Sequence, residues 1–149
     1  MEQITGQCLY STVQVTVPPM SHDFEACHRV LCRAVISGGP FFGMAARVFD
    51  GQFTGDADIA IYRSSESAKR GFCGICGAVL WHKITAPGPM HGQVQVAAGL
   101  FPDPGDAKPG VDLYIGKKPV GYSLAGERGQ MTEAEVIAAF ALSESGGSE

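Results

Sequence analysis

No stretch of this chain approaches the run of about 18 apolar residues that a membrane-crossing helix needs. Residues 1–6, Met-Glu-Gln-Ile-Thr-Gly, carry neither a basic start nor an apolar core of signal-peptide length. Basic residues are scarce: 11 Lys and Arg face 15 Asp and Glu, for a net charge of −4. That balance disfavours nucleic acid and anionic membrane as partners. Also missing are an internal repeat, a Gly-rich phosphate loop, a P-loop and a Ser-His-Asp order. The expected location is the cytoplasm, where thiols stay reduced. An odd count of five cysteines then reads as metal binding or catalysis rather than a disulfide framework.

At 149 residues one domain is expected, long enough for a real core. The 20 Gly and 9 Pro favour strands and loops over a helical bundle. Alternation predicts a half-buried strand over 12–17, with Val13, Val15 and Val17 on one face and Pro18-Pro19 closing it. Residues 22–35 read as a loop with a short helix. Strands are expected over 41–49, 59–62, 78–82, 93–97 and 111–115, with a turn at Asp50-Gly51 and loops around Pro87-Gly88-Pro89 and over 102–109. Thr132-Glu133-Ala134-Glu135 is a capping box opening a helix through Phe140. Residues 143–149 are polar and predicted to be a disordered tail, leaving 1–142 as the domain. The fold class is mainly β, with antiparallel strands and a short C-terminal helix.

Chemistry concentrates in Phe72-Cys73-Gly74-Ile75-Cys76-Gly77. A C-x-x-C turn followed by Gly presents two thiolates from one tight turn, and zinc wants about four ligands in a tetrahedron. Cys8, Cys27 and Cys32 are the other thiols. Cys27 and Cys32 stand in C-x₄-C spacing, unlike the C-x-x-C redox motif.

Several blocks together carry a resemblance. Gly6-Gln7-Cys8-Leu9-Tyr10 looks like a G-x-C-x-C entry, and Cys27-His28-Arg29-Val30-Leu31-Cys32-Arg33 like a C-H-C-x-x-C-R motif. Gly38-Gly39-Pro40-Phe41, Tyr62-Arg63-Ser64-Ser65, the block 69–77 and Gly99-Leu100-Phe101-Pro102-Asp103-Pro104 follow in the same order. From about Gly6 to Tyr122 the chain resembles the glutathione-dependent formaldehyde-activating (GFA) family, which includes centromere protein V-like proteins. The resemblance implies a β-tent fold pinned by a structural zinc, a second, catalytic zinc, and carbon–sulfur lyase chemistry on adducts of glutathione with small aldehydes.

Carried over residue by residue, the structural site keeps Cys8, Cys73 and Cys76 but has Tyr10 at its fourth position. The catalytic trio keeps Cys27 and Cys32 but has Arg29 in the middle. Phe101 and Pro102 depart from a Gly-x-Leu-Asp segment, and Asp112 stands where His is common. Three thiolates would still bind zinc. The plain alternative is a set of reduced core thiols closed over by Tyr10, whose ring would share a face with Cys8 if 8–10 were extended. At most one zinc is therefore expected, held by Cys8, Cys73 and Cys76.

Arg29 would repel zinc, so Cys27 and Cys32 are expected side by side at a pocket edge without a fully coordinated metal. His28 and His22 are the nearby imidazoles. Arg29 either lowers the pKa of a neighbouring thiol and meets a carboxylate such as those of glutathione, or points to solvent. Cys27, Cys32 and Arg29 are thus the candidate catalytic residues. His82 reads as a surface or core-edge imidazole and His91 as a solvated one. Arg63, Lys69 and Arg70 read as a solvated face, with an anion-binding rim beside the knuckle as the alternative. Phe41, Phe42, Phe49, Phe53 and Trp81 read as core. The expected function is a GFA-type domain with degenerate zinc sites and weak or no turnover. The alternatives are a non-catalytic domain binding zinc or a small thiol, and a thiol redox role for Cys27 and Cys32.

Overall fold

The computed structural model describes residues 3–17, 23–46, 53–103 and 107–140. Eleven strands and two helices are present among them: β1 (Ile4–Gln7), β2 (Gln14–Val17), β3 (Asp23–Cys27), α1 (Val30–Ile36), β4 (Phe41–Ala46), β5 (Phe53–Thr54), β6 (Ile59–Ser65), β7 (Ala68–Cys73), β8 (Val79–Ile84), β9 (Val94–Ala97), β10 (Lys108–Leu113), β11 (Gly129–Met131) and α2 (Glu133–Phe140). They form a three-stranded sheet in the order β1-β2-β5 and an eight-stranded sheet in the order β11-β10-β3-β4-β9-β8-β7-β6. The mainly β class with a short C-terminal helix is as the pattern predicted. Pairing is antiparallel except where β10 runs parallel to both β3 and β11.

The alternation of Val13, Val15 and Val17 turns all three into the core, each at most 1% exposed. The helix predicted from its capping box forms: the Thr132 N–H donates to the Glu135 carboxylate, and the Glu135 N–H to the Thr132 hydroxyl. Five strands are additions to the sequence pattern: β1 and β5 flank β2 in the small sheet, β3 lies where a loop was expected, β7 leads into the knuckle, and β11 pairs with β10. β10 begins at Lys108, three residues before the predicted strand. Pro18-Pro19, His22, Phe49, the Asp50-Gly51 turn and the 143–149 tail lie outside the described residues.

Two close approaches shape the sheet. Gly71 of β7 lies under the Trp81 indole on β8, where a β-carbon would come within 2.3 Å of the ring. Tyr114, just after β10, has φ 56, a left-handed conformation unusual for a bulky residue. Among the described residues, no helix is long and apolar enough to cross a membrane.

Candidate functional site

Two thiol clusters form, from cysteines far apart in sequence. Cys8 follows β1, while Cys73 ends β7 and Cys76 lies in the turn behind it. Their three Sγ atoms all lie within 4.8 Å of one another. Backbone amides are aimed at them: the Val13 N–H at Cys8 Sγ (3.4 Å) and the Cys76 N–H at Cys73 Sγ (3.5 Å). Gly77, at φ 79, closes the turn in a conformation that suits glycine.

The amides set the protonation of this cluster. Those of Ala78 and then Tyr10 pull the Cys76 thiol down to about 7. For Cys73 the largest influence, the Cys76 N–H, pulls downward, but burial and proton sharing with Cys76 and Cys8 leave the thiol raised. Two sulfurs on one tetrahedral zinc sit about 3.8 Å apart, given bonds of about 2.3 Å. The cluster therefore fits a metal ion with small adjustments. Tyr10 does not fill that space. β1 ends at Gln7, Ser11 takes φ 67, and the intervening turn leaves Tyr10 66% exposed. The idea of a ring closing over the thiols fails because 8–10 is a turn rather than extended chain. Residue 10 faces the cluster with its backbone instead.

The second cluster sits where β3 passes into α1. Cys27 ends the strand and Cys32 lies in the short helix, and the two sulfurs are 2.8 Å apart. Between them, His28 is fully buried. Its Nε2 lies 2.6 Å from Asp112 Oδ1 and its Nδ1 2.8 Å from the Tyr122 hydroxyl. Arg128 Nη1 donates to the other Asp112 oxygen at 3.2 Å. With both ring nitrogens engaged, His28 supplies no ligand to the thiols. It fixes the loop that carries them.

Arg29 is 5% exposed and lies over the Tyr114 ring, 5.5 Å from its centroid. Of the two orientations open from sequence, the buried one is found. Arg70, read from sequence as part of a solvated face, is instead 3% exposed. Its Nη2 donates to Cys32 Sγ at 3.4 Å, and the guanidinium lies 5.4 Å from the Phe41 ring centroid. In β7 it alternates with half-buried Lys69, so the inward face delivers the cation to the dithiol.

A cavity of about 40 Å³ borders this pair, with Arg29, His82, Gln95 and Tyr114 contributing its polar wall. Ser67 adds a hydroxyl-bearing residue, and Phe41, Ile84, Leu113 and Val136 supply apolar wall. Burial, then the charges of Arg70 and Arg29, push the His82 imidazole well below its usual range, so it is neutral at physiological pH. Burial also raises Tyr114 to about 12, and its hydroxyl has no hydrogen-bond partner.

One proton is shared by the two thiols. The hydrogen bond with Cys27, then the Arg70 and Arg29 charges, outweigh burial and bring Cys32 down to about 6. Sharing with Cys32, then burial, hold Cys27 well above its usual value. Because Arg70 touches Cys32, the negative charge rests there and Cys27 keeps the proton. The ligand set for a zinc is incomplete here: among the described residues no third Cys, His, Asp or Glu joins Cys27 and Cys32, and the two sulfurs would have to separate to the roughly 3.8 Å of two zinc-bound thiolates.

Tyr114, Tyr122 and the burial of Arg70 are site features that sequence reasoning missed; His28 and Asp112 were singled out, but not their contact. For Arg70 the signal was available: a strand read over 68–73 would have put it on the face of Ala68.

Comparison with known proteins gives three findings. A family model described as "Glutathione-dependent formaldehyde-activating enzyme" matches residues 3–117. Among curated proteins, none matches the chain. Among solved structures, a Rhodobacter sphaeroides protein is similar in fold, with a TM-score of 0.54 at 18% identity, covering 87% of this chain and 100% of that one.

Proposed function

The chain belongs to the glutathione-dependent formaldehyde-activating family, and on that premise we propose that it is a zinc-pinned domain that binds a small thiol or its aldehyde adduct and turns over carbon–sulfur bonds weakly or not at all. Zinc would be held by Cys8, Cys73 and Cys76, with a water or neighbouring group as fourth ligand. Bound there, it supplies cross-linking between β1 and the β7 turn rather than chemistry. The observation that carries the reading is Arg29: it lies buried at the dithiol, where the family motif has a third thiolate.

Two thiols with Arg29 in place of the third leave an incomplete ligand set for a metal that would stabilise a thiolate leaving group there. What remains is a positive, partly apolar cavity. Arg29 at its wall, with Arg70 donating to Cys32, suits the reacting end of an anionic thiol adduct such as that of glutathione, whose remainder would lie outside the cavity.

Two measurements test this together. Metal analysis of untagged protein should find about one zinc per chain, kept in Cys32→Ser and lost in Cys73→Ser. The glutathione–formaldehyde reaction should run little faster with the protein than with equivalent free thiols. An Arg29→Cys variant, which restores a third thiol between Cys27 and Cys32, should take up additional zinc. Robust turnover by the natural protein, abolished by Cys32→Ala, would overturn the reading.

A further inference from the structure

Cys27 and Cys32 have sulfurs 2.8 Å apart with no third metal-ligating residue beside them among the described residues, a guanidinium donating to one of the two, and a small cavity beside both. We propose that they form a metal-free two-thiol centre that reduces small hydroperoxides in this cavity and closes to an intramolecular disulfide.

The geometry selects both the roles and the substrate. Cys32 is the attacking thiol because Arg70 Nη2 contacts its sulfur, and Cys27, 2.8 Å away, is the resolving one. The thiolate is the nucleophile in such chemistry, and Arg70 supplies the positive charge that favours Cys32 in that form. The Tyr114 hydroxyl, which lines the cavity, is buried without a hydrogen-bond partner, and a donor left in that state calls for a polar occupant. A cavity of about 40 Å³ has room for only a few water-sized groups, since one water needs about 10–15 Å³. Hydrogen peroxide, with two heavy atoms, fits; a tripeptide disulfide does not.

The steps balance. The Cys32 thiolate attacks one peroxide oxygen, the O–O bond breaks, and Cys32 sulfenic acid and hydroxide form. Hydroxide takes a proton from solvent. Cys27 sulfur then attacks the Cys32 sulfur, the S–O bond breaks, and the Cys27 proton leaves with hydroxide as water. The peroxide is reduced by two electrons and the dithiol oxidised by two. A small thiol restores the centre by successive exchange: its thiolate forms a mixed disulfide with one cysteine, and a second molecule releases the small-molecule disulfide. The other charged or titratable groups felt by Cys32 are Arg29, on its own loop, and Glu25 of β3. Tyr114 faces the pair from the end of β10.

The oxidative half is tested without glutathione or aldehyde, so its outcome is separate from that of the proposed function. Zinc-loaded protein is treated with stoichiometric hydrogen peroxide, blocked with iodoacetamide and mapped by mass spectrometry. A Cys27–Cys32 cross-linked peptide should appear, with Cys8, Cys73 and Cys76 still reduced. Cys27→Ser should instead accumulate a dimedone-reactive sulfenic acid at Cys32. Arg70→Met should slow oxidation at pH 6 about tenfold, the loss of thiolate being partly offset by higher intrinsic nucleophilicity; Arg70→Lys should recover part of that rate. Oxidation of the knuckle cysteines ahead of Cys32, or a Cys32 no faster than free glutathione, would overturn the proposal, as would a Cys32→Ser variant that consumes peroxide at the natural rate.

Discussion

His28 Nε2 and Asp112 Oδ1 lie 2.6 Å apart in the interior, tying the loop that carries Cys27, Arg29 and Cys32 to β10. The backbone repeats the link, since the His28 N–H donates to the Leu113 carbonyl at 3.0 Å. Asp112 also receives Arg128, so one carboxylate serves two buried partners. Among the described residues, removing it would leave the His28 ring with Tyr122 alone and Arg128 with only the Ala125 and Gly126 carbonyls. Asp112→Ala should therefore lose about 3 kcal/mol of stability, in the range for breaking a buried pair by deleting one partner. Asp112→Asn, which keeps an acceptor, should lose less. Urea unfolding of the two variants compares them directly, and equal midpoints for Asp112→Ala and the natural protein would remove the tie from the account.

Gly71 is a second point of tight fit. A methyl group there meets the Trp81 ring at 2.3 Å, well inside contact distance, so the indole or the β7–β8 pair must shift. Gly71→Ala is expected to destabilise by about 1–3 kcal/mol, the usual range for overpacking. Trp81 is the sole tryptophan, so its fluorescence reports the displacement without ambiguity. An unchanged emission maximum together with unchanged stability would contradict the close approach.

Both the fold class and the convergence of Cys8 with the knuckle were legible before the structure, for different reasons. Val13, Val15 and Val17 alternate because one face of β2 is buried, and local periodicity records that directly. Cys8 and Cys73 are far apart in sequence, and only the order of motifs hinted that they meet. β3 escaped notice because its run, Asp-Phe-Glu-Ala-Cys, begins polar and is held by a parallel neighbour contributed from residues 108–113. No local pattern encodes such a partner. Arg70 escaped because a charged residue normally means a solvated face, and its burial depends on a thiol pair delivered from β3 and α1. Tyr10 was misread through an assumed extended backbone. Its turn reverses the inference, leaving the ring outside and the amide inside.

That turn makes Tyr10 a place to complete the metal site. Its backbone N–H already bears on Cys76, and the exposed ring can be removed with little loss of packing. Tyr10→Cys should offer a fourth thiolate to Cys8, Cys73 and Cys76. The variant is expected to bind zinc more tightly and melt at higher temperature in its presence, because metal bound only by the folded state adds its binding free energy to stability. Thermal melts with zinc and with a chelator check this. A variant whose melting temperature rises with zinc no more than the natural protein's would show that residue 10 does not reach the cluster.

Glu25 gives a pH dependence whose sign can be worked out. Burial raises its carboxyl above the ordinary value, opposed by the hydrogen bond from Gln95 Nε2 at 3.4 Å and reinforced by the Cys32 charge. A carboxyl raised on folding favours the protonated native state. Its stabilising contribution is complete below the unfolded value of 4.5 and fades as pH rises through the higher folded value. At neutral pH the native protein therefore holds a carboxylate against its burial, with Oε2 lacking a hydrogen-bond partner. Glu25→Gln retains an oxygen to accept from Gln95 and removes the charge. It should raise stability at pH 7 relative to the natural protein, and the gain should shrink as pH falls toward 4, where the natural side chain is itself neutral. Urea midpoints measured across that window decide the matter: a gain that stays constant with pH would mean that the charge of Glu25 is not what costs stability at neutral pH.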